Sequence, residues 1–293
     1  MNFGARVRFN CYQPAAVLRV SGEDALSFLQ GQFTQDLKMV EAGAAAYGLW
    51  LNQKGKVLAD SFVLRAEGGV WWVISYFSAA VVIRERLESY LIADDVVIED
   101  ETVAWEGVSV MGAGEGEGAE VKAWLAGRVG LIWQGRRAAV VTWEWLRPKG
   151  SSLEMGAEAE EISEEELEHR RIESGIPAVP RDVGAGDLPN EAGLEEVAVS
   201  YTKGCYLGQE VMARLKAMGQ VRRRLLKVEG AGMPGALPAG LFHGEKRVGE
   251  VRSAVKAEAG WSGLAMVSLL GMEGVTALSL TPGGAAEVEV FKS

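Results

Sequence analysis

Apolar residues recur along this chain in two periods, and the switches between them mark its elements. Ala25, Phe28 and Leu29 share one face of a helix, with Ser21 as N-cap, Asp24 three residues on and Gly31 as its stop. A meander in period two follows. It has a strand ending at Leu51, a turn at Asn52-Gln53-Lys54-Gly55, a strand from Val57 to Arg65, a turn at Glu67-Gly68-Gly69 and a strand over 70–75. Ser78 opens a second helix that turns Val82, Ile83, Leu87, Tyr90 and Leu91 inward, and Val96-Val97-Ile98 is a short strand. Antiparallel pairing interleaved with helices predicts an α+β fold.

Further on, Gly112-Ala113-Gly114-Glu115-Gly116-Glu117-Gly118 predicts a flexible surface loop over 112–120, whose acidic residues would repel phosphate. Residues 121–147 read as helix, strand, strand, with Trp124, Trp133, Trp143 and Trp145 as core or half-buried strand residues. The acidic run over 158–168 coincides with a helix capped by Ser163 and Glu166, carrying His169, Arg170 and Arg171 in its last turn and stopped by Gly175 and Pro177. Glu173 falls at the negative end of that helix dipole, which disfavours a carboxylate by about a few tenths of a kcal/mol. Two partners would answer this: Arg170 or a neighbouring arginine, or the N–H groups of a ligand. From Arg222 onward, short alternating segments divided by Gly230, Gly232, Pro234, Pro238, Gly240 and Gly244 predict a small β-barrel.

With 293 residues, 48% of them hydrophobic, the chain can bury cores for two or three domains. A net charge of −10 argues against broad binding of nucleic acid, and Arg222-Arg223-Arg224 reads as a solvated strand start. The longest apolar stretch, 71–83, contains Ser75 and Ser78 and falls short of the roughly 20 residues that span a bilayer. The first twenty residues hold Arg6, Arg8 and Arg19 without an uninterrupted apolar run, so a cytoplasmic protein is expected, with no membrane contact. Cys11 and Cys205 make no disulfide framework, and with His169 and His243 they make no metal cluster, so no metal is expected on this chain alone.

One segment concentrates chemistry: Lys203-Gly204-Cys205-Tyr206-Leu207-Gly208-Gln209-Glu210. Gly204 and Gly208 permit a tight loop that holds the thiol near the surface. Lys203 and the N-terminus of the helix opening at Gln209 would both favour thiolate over thiol. A small buried hydrophobe is the other reading of Cys205.

K-G-C-Y-x-G-Q-E is similar to the signature of the YgfZ family, folate-binding proteins related to the glycine-cleavage T-protein. The resemblance extends to Phe28-Leu29-Gln30-Gly31-Gln32-Phe33-Thr34-Gln35-Asp36, to Leu49-Trp50-Leu51-Asn52-Gln53-Lys54-Gly55-Lys56-Val57, to Arg171-Ile172-Glu173-Ser174-Gly175-Ile176-Pro177 and to Pro189-Asn190-Glu191-Ala192-Gly193-Leu194. It implies a T-protein-like fold, with mixed α/β layers around a central cavity. A folate-binding region over 1–221, of two interleaved α+β subdomains, would precede a C-terminal barrel over 222–293. It also implies tetrahydrofolate or a derivative as cofactor, Glu173 near the pterin with Arg171 beside it, and Cys205 with Lys203 as the reactive pair. Gly204, Tyr206, Gly208, Gln209 and Glu210 would complete the motif. The function it implies is assembly or repair of iron–sulfur clusters in client proteins, tRNA-modifying radical enzymes among them, with an aminomethyltransferase as the alternative. The chain departs from the family near Ala15 and Leu167, where tryptophans are frequent.

Overall fold

The computed structural model describes residues 7–112, 117–156 and 159–291. The chain opens with β1 (Val7–Tyr12), β2 (Ala16–Ser21), α1 (Ala25–Gln32), β3 (Ala45–Leu51), β4 (Val57–Arg65), β5 (Trp71–Ser75) and α2 (Ala80–Glu88). Next come β6 (Val97–Asp100), β7 (Trp105–Gly112), α3 (Gly118–Leu125), β8 (Leu131–Gln134), β9 (Thr142–Pro148), β10 (Ala159–Glu161) and α4 (Glu164–Glu173). Two helices follow, α5 (Leu194–Ala198) and α6 (Gln209–Met218). The last strands are β11 (Arg223–Gly230), β12 (Ala239–His243), β13 (Lys246–Ala257), β14 (Gly260–Ser268), β15 (Ala277–Leu278) and β16 (Val288–Phe291).

These strands form three sheets, ordered β10-β1-β7-β9-β8, β3-β4-β5-β2-β6 and β12-β13-β14-β11-β16-β15. The first two interleave, because β1 belongs to one and β2 to the other. The alternation in β4 explains how they pack. Ala59 and Val63 point to the layer containing Leu29 of α1 and Ile83 and Leu87 of α2. Phe62 and Leu64 point the other way, into a shared layer with Trp133 of β8 and Leu146 of β9. Asp60 is in phase with Phe62, and Glu144 with Leu146, so the period of two sets a carboxylate from each sheet in that layer.

The third sheet curls into a nearly closed barrel. Phe242 and Ser279 exchange two backbone hydrogen bonds (2.8 and 2.9 Å) that bring its two ends together around Leu226, Val228, Leu241, Val251 and Trp261. α4 packs on it through Ile172, which meets Val255 and Leu264. The α+β architecture and terminal barrel expected of the sequence are therefore present.

Local differences have physical causes. α1 begins at Ala25, because Ser21 is still in β2, and the Asp24 carboxylate accepts from the Asp95 amide (2.9 Å) instead of closing a capping box. The helix also continues past Gly31 to Gln32. Ser78 does not cap α2: its hydroxyl donates to Asp60 (2.8 Å) and the Val179 carbonyl (3.0 Å), leaving Ala79 as N-cap and Val82 exposed. In α4, Ser163 accepts from the Glu166 amide, but the Glu166 carboxylate pairs with Arg170 (2.7 Å). Of the loop expected over 112–120, Gly112 ends β7, Gly118 opens α3, and 113–116 lie outside the described residues.

Candidate functional site

The thiol loop is built on the end of α1. Lys203 is buried, and its Nζ donates to the carbonyls of Gln30 (2.7 Å), Phe33 (2.6 Å) and Gln35 (2.9 Å). A helix end leaves such carbonyls without partners and carries a partial negative charge, so an ammonium is well placed there. The Leu207 amide adds a bond to the Gly31 carbonyl (3.3 Å). Two stretches far apart in sequence, 28–36 and 203–210, thus form one structure. Burial lowers the Lys203 pKa to about 8, with Asp36 raising it and Lys38 lowering it further. Its three donors are all engaged by carbonyls, so Lys203 staples the loop to the end of α1.

Cys205 itself is exposed. Next to it, the buried Tyr206 anchors the loop among Leu49, Leu51, Val57 and Met212. Its ring centroid lies 5.3 Å from Lys203 Nζ, and burial pushes the phenol pKa up. Gly208 adopts φ +87° as the N-cap of α6, and a Cβ there would come 3.0 Å from the Asn52 carbonyl oxygen. Gly204 has open space around it and no left-handed φ, so the tight backbone is needed at Gly208 alone. Gln209 and Glu210 open α6, where Glu210 pairs with Arg214 (3.2 Å).

The residues expected at the folate have other partners. Glu173 accepts from Lys227 of β11 at 2.7 Å, and its side chain is 38% exposed. Burial works against its charge, but the hydrogen bond and charge of Lys227 outweigh it and hold the carboxyl below its ordinary range. Arg171 is buried and donates to Glu168 (2.7 Å), Asp182 (2.8 Å), Ser253 (3.1 Å) and the Ile176 carbonyl. Both side chains join α4 and the segment after it to the barrel, where a ligand contact was expected.

A different polar centre lies between the first two sheets. Glu144 Oε2 accepts from the Tyr12 hydroxyl (2.9 Å) and from Ser109 (2.7 Å). Arg137 lies over the rings of Tyr76 (3.9 Å) and Tyr12 (4.4 Å). Alongside, Asp60 accepts from Tyr47 (2.9 Å), Ser75 (3.0 Å) and Ser78 (2.8 Å), and Arg136 lies 4.3 Å over the Tyr47 ring. Burial pushes the carboxyls of Asp60 and Glu144 up from their ordinary values, and the phenols of Tyr12, Tyr47 and Tyr76 well up. Burial also opposes the Arg137 charge, but Glu144, Tyr76 and Tyr12 together more than offset it.

Four buried atoms of this centre make no hydrogen bond of good geometry: Glu144 Oε1, Arg136 Nη1, Arg137 Nε and Trp133 Nε1, although Tyr76 lies close enough to act on Glu144, Tyr12 on Arg137 and Tyr47 on Arg136. Gly135 borders it, and a Cβ there would come 2.3 Å from Glu144 Oε1. These groups fit a pterin. Its amino-pyrimidinone edge can donate to the carboxylate, its carbonyl and ring nitrogens can accept from guanidinium N–H, and its flat face suits aromatic walls. A signal existed in the sequence: Asp60 and Glu144 are charges on the inward phase of apolar strands.

The same arrangement of sheets occurs in known proteins. Over 98% of this chain and 86% of the other, the fold matches the glycine cleavage system aminomethyltransferase T from Bartonella henselae, with a TM-score of 0.79 and 16% identity. The GCVT N-terminal domain family matches residues 13–115. The tRNA-modifying protein YgfZ of Edwardsiella ictaluri is 29% identical over 227 residues, 73% of this chain and 68% of that protein. The mitochondrial iron-sulfur cluster assembly factor IBA57 of Homo sapiens is 31% identical over 227 residues, 72% of this chain and 63% of its own. The chain is thus similar to a YgfZ protein and to IBA57. Of the two regions, the thiol loop lies wholly outside the GCVT N-terminal match, whereas Asp60, Tyr76 and Ser109 lie inside it.

Proposed function

We propose that this protein binds a reduced folate between its two interleaved sheets and supports iron–sulfur proteins through Cys205. The observation that carries the folate reading is the set of unpartnered buried atoms on Glu144, Arg136, Arg137 and Trp133. Glu144 would accept from the pterin edge, Arg136 and Arg137 would donate to it, and Tyr12 and Tyr76 would flank it. Bound there, a reduced folate supplies a one-carbon carrier.

The names of the relatives, a tRNA-modifying protein and an iron-sulfur cluster assembly factor, support the maintenance reading. An exposed thiol on a rigid loop suits action on a partner's surface, because Cys205 can be reached without unfolding the scaffold beneath it. The partners of this reading are iron–sulfur client or assembly proteins. The aminomethyltransferase alternative draws on the fold alone.

Calorimetry with tetrahydrofolate separates the two candidate folate sites. Glu144→Gln should weaken binding more than about tenfold, because it removes a buried charge-assisted contact. Glu173→Ala should leave affinity unchanged. The reverse pattern would move the folate to the end of α4. A second assay, with lipoylated carrier, aminomethyl donor and tetrahydrofolate, should yield no methylene-tetrahydrofolate at an enzymatic rate; robust turnover would favour the transferase.

A further inference from the structure

A second polar wall stands apart from both regions. Where α5, α6 and the start of the barrel meet lies a cleft of about 370 Å³, whose lining includes Asn190, Glu195, Tyr201, Leu215, Lys216 and Arg224. Three buried atoms on these residues make no hydrogen bond of good geometry: Asn190 Oδ1, Glu195 Oε2 and the Tyr201 hydroxyl, although the Asn190 side chain lies close enough to act on both Glu195 and Tyr201. Each unpaired buried polar atom carries a desolvation penalty, and three on one cleft are more than packing alone explains. Burial raises the Glu195 carboxyl above its ordinary range, and the charge of Glu196 adds to this. The same cleft also carries positive charge. Lys216 Nζ lies 4.0 Å from the Tyr201 ring centroid, and the exposed Arg224 acts electrostatically on Glu195.

We propose that this cleft binds a small organic zwitterion, with its ammonium on Asn190, Glu195 and Tyr201 and its acid group toward Lys216 and Arg224. An ammonium has three N–H donors, and each of the three unpaired oxygens can accept one. The carboxylates of Glu195 and Glu196 balance the charges of Lys216 and Arg224, so a simple anion or a simple cation would meet like charge as well as opposite. The volume suits a molecule of amino-acid size. This site is independent of the folate reading, and saturating tetrahydrofolate should leave its affinity unchanged.

The test is a titration of the intact protein, by calorimetry and by ligand-observed NMR, with glycine, γ-aminobutyrate and ε-aminocaproate. Butylamine and butyrate serve as single-ended controls. At least one zwitterion should saturate below about 10 mM and bind at least about tenfold tighter than either control. Glu195→Gln, close in shape to the parent, should weaken that binding at least about fivefold, and so should Tyr201→Phe. Failure of every zwitterion to saturate, binding equalled by either control, or indifference to both substitutions would overturn the proposal and leave water in the cleft. Should a variant fail to fold, the comparison of zwitterions with controls on the parent protein still decides.

Discussion

The centre between the sheets and the thiol loop distribute satisfied and unsatisfied groups in opposite ways. Between the sheets, charged side chains are buried and some of their atoms are left open, at Glu144, Arg136 and Arg137. In the loop, Cys205 is exposed while the buried ammonium beneath it is fully engaged, by Gln30, Phe33 and Gln35. Under the proposed function, the first arrangement leaves polar atoms open for a ligand, and the second holds an accessible group on a buried scaffold. Substitutions between the sheets should therefore couple folding to ligand binding, whereas substitutions at the tip of the loop should separate folding from function.

The largest expected effect is at Glu144. Glu144→Ala leaves Arg137 buried without its counter-charge and should cost about 3–5 kcal/mol, read by denaturant unfolding. Glu144→Gln also removes that counter-charge but keeps the side chain's shape and an oxygen to accept from Tyr12 and Ser109, so it should cost less than Glu144→Ala. The sign with pH follows. A raised folded-state pKa gives stability that is complete below the ordinary values, 3.8 for Asp60 and 4.5 for Glu144, and is lost as pH rises through the raised ones. Glu144→Gln should therefore gain on the parent as pH rises from about 4. A pterin donating to Glu144 would favour its ionised form, so binding should release protons, measurable by calorimetry in buffers of different ionisation enthalpy. An alanine variant as stable as the parent would erase the contrast between the two regions.

Lys203 comes next. Lys203→Met keeps the length of the side chain but strands three carbonyls at the end of α1, at a cost of about 2–3 kcal/mol. The folded pKa of about 8 lies below the ordinary 10.5. A depressed folded-state value gives stability that is present above about 10.5 and lost as pH falls through about 8. The gap between parent and Lys203→Met should therefore be wider at pH 10 than at pH 7. An unchanged melting temperature in the variant at both pH values would show that the loop does not hang on this staple.

The two regions also differ in how far the sequence reveals them. The loop was legible because eight consecutive positions carry it, and the meander and barrel because alternation and glycine–proline punctuation are local. What the residues alone did not disclose is the direction of Lys203: proximity to Cys205 in sequence suggested electrostatic help, and the fold turned the side chain toward α1. The centre between the sheets is spread over seven strands, the segment after β5 and the turn after β8, from Tyr12 to Glu144. A reading of local segments passes over it, although a charge inside Val57–Arg65 and another inside Thr142–Pro148 each break an apolar strand on its buried phase. Glu173 was legible only in part, for a related reason. Its unfavourable helix end did call for a partner, but that partner is Lys227, which only the docking of the barrel brings near.

The smallest effect on stability, and the sharpest on function, is expected at the tip of the loop. Cys205 is exposed, so Cys205→Ser exchanges sulfur for oxygen without opening a cavity and should change stability by no more than about 0.5 kcal/mol. Folate affinity should also be unchanged, because the buried centre does not include this residue. A strain lacking the parent protein should nevertheless remain defective in iron–sulfur enzyme activity when supplied with the variant, since a hydroxyl stays protonated at neutral pH where a thiol can ionise. The second thiol provides the internal control. Burial, followed by the charge of Glu161, pushes the Cys11 pKa up, which lowers its thiolate fraction. Iodoacetamide at neutral pH should therefore modify Cys205 before Cys11 in the native protein, with mass spectrometry of timed digests giving the order. Faster labelling of Cys11, or full rescue by Cys205→Ser, would leave the loop as a structural element and place all of the chemistry between the sheets.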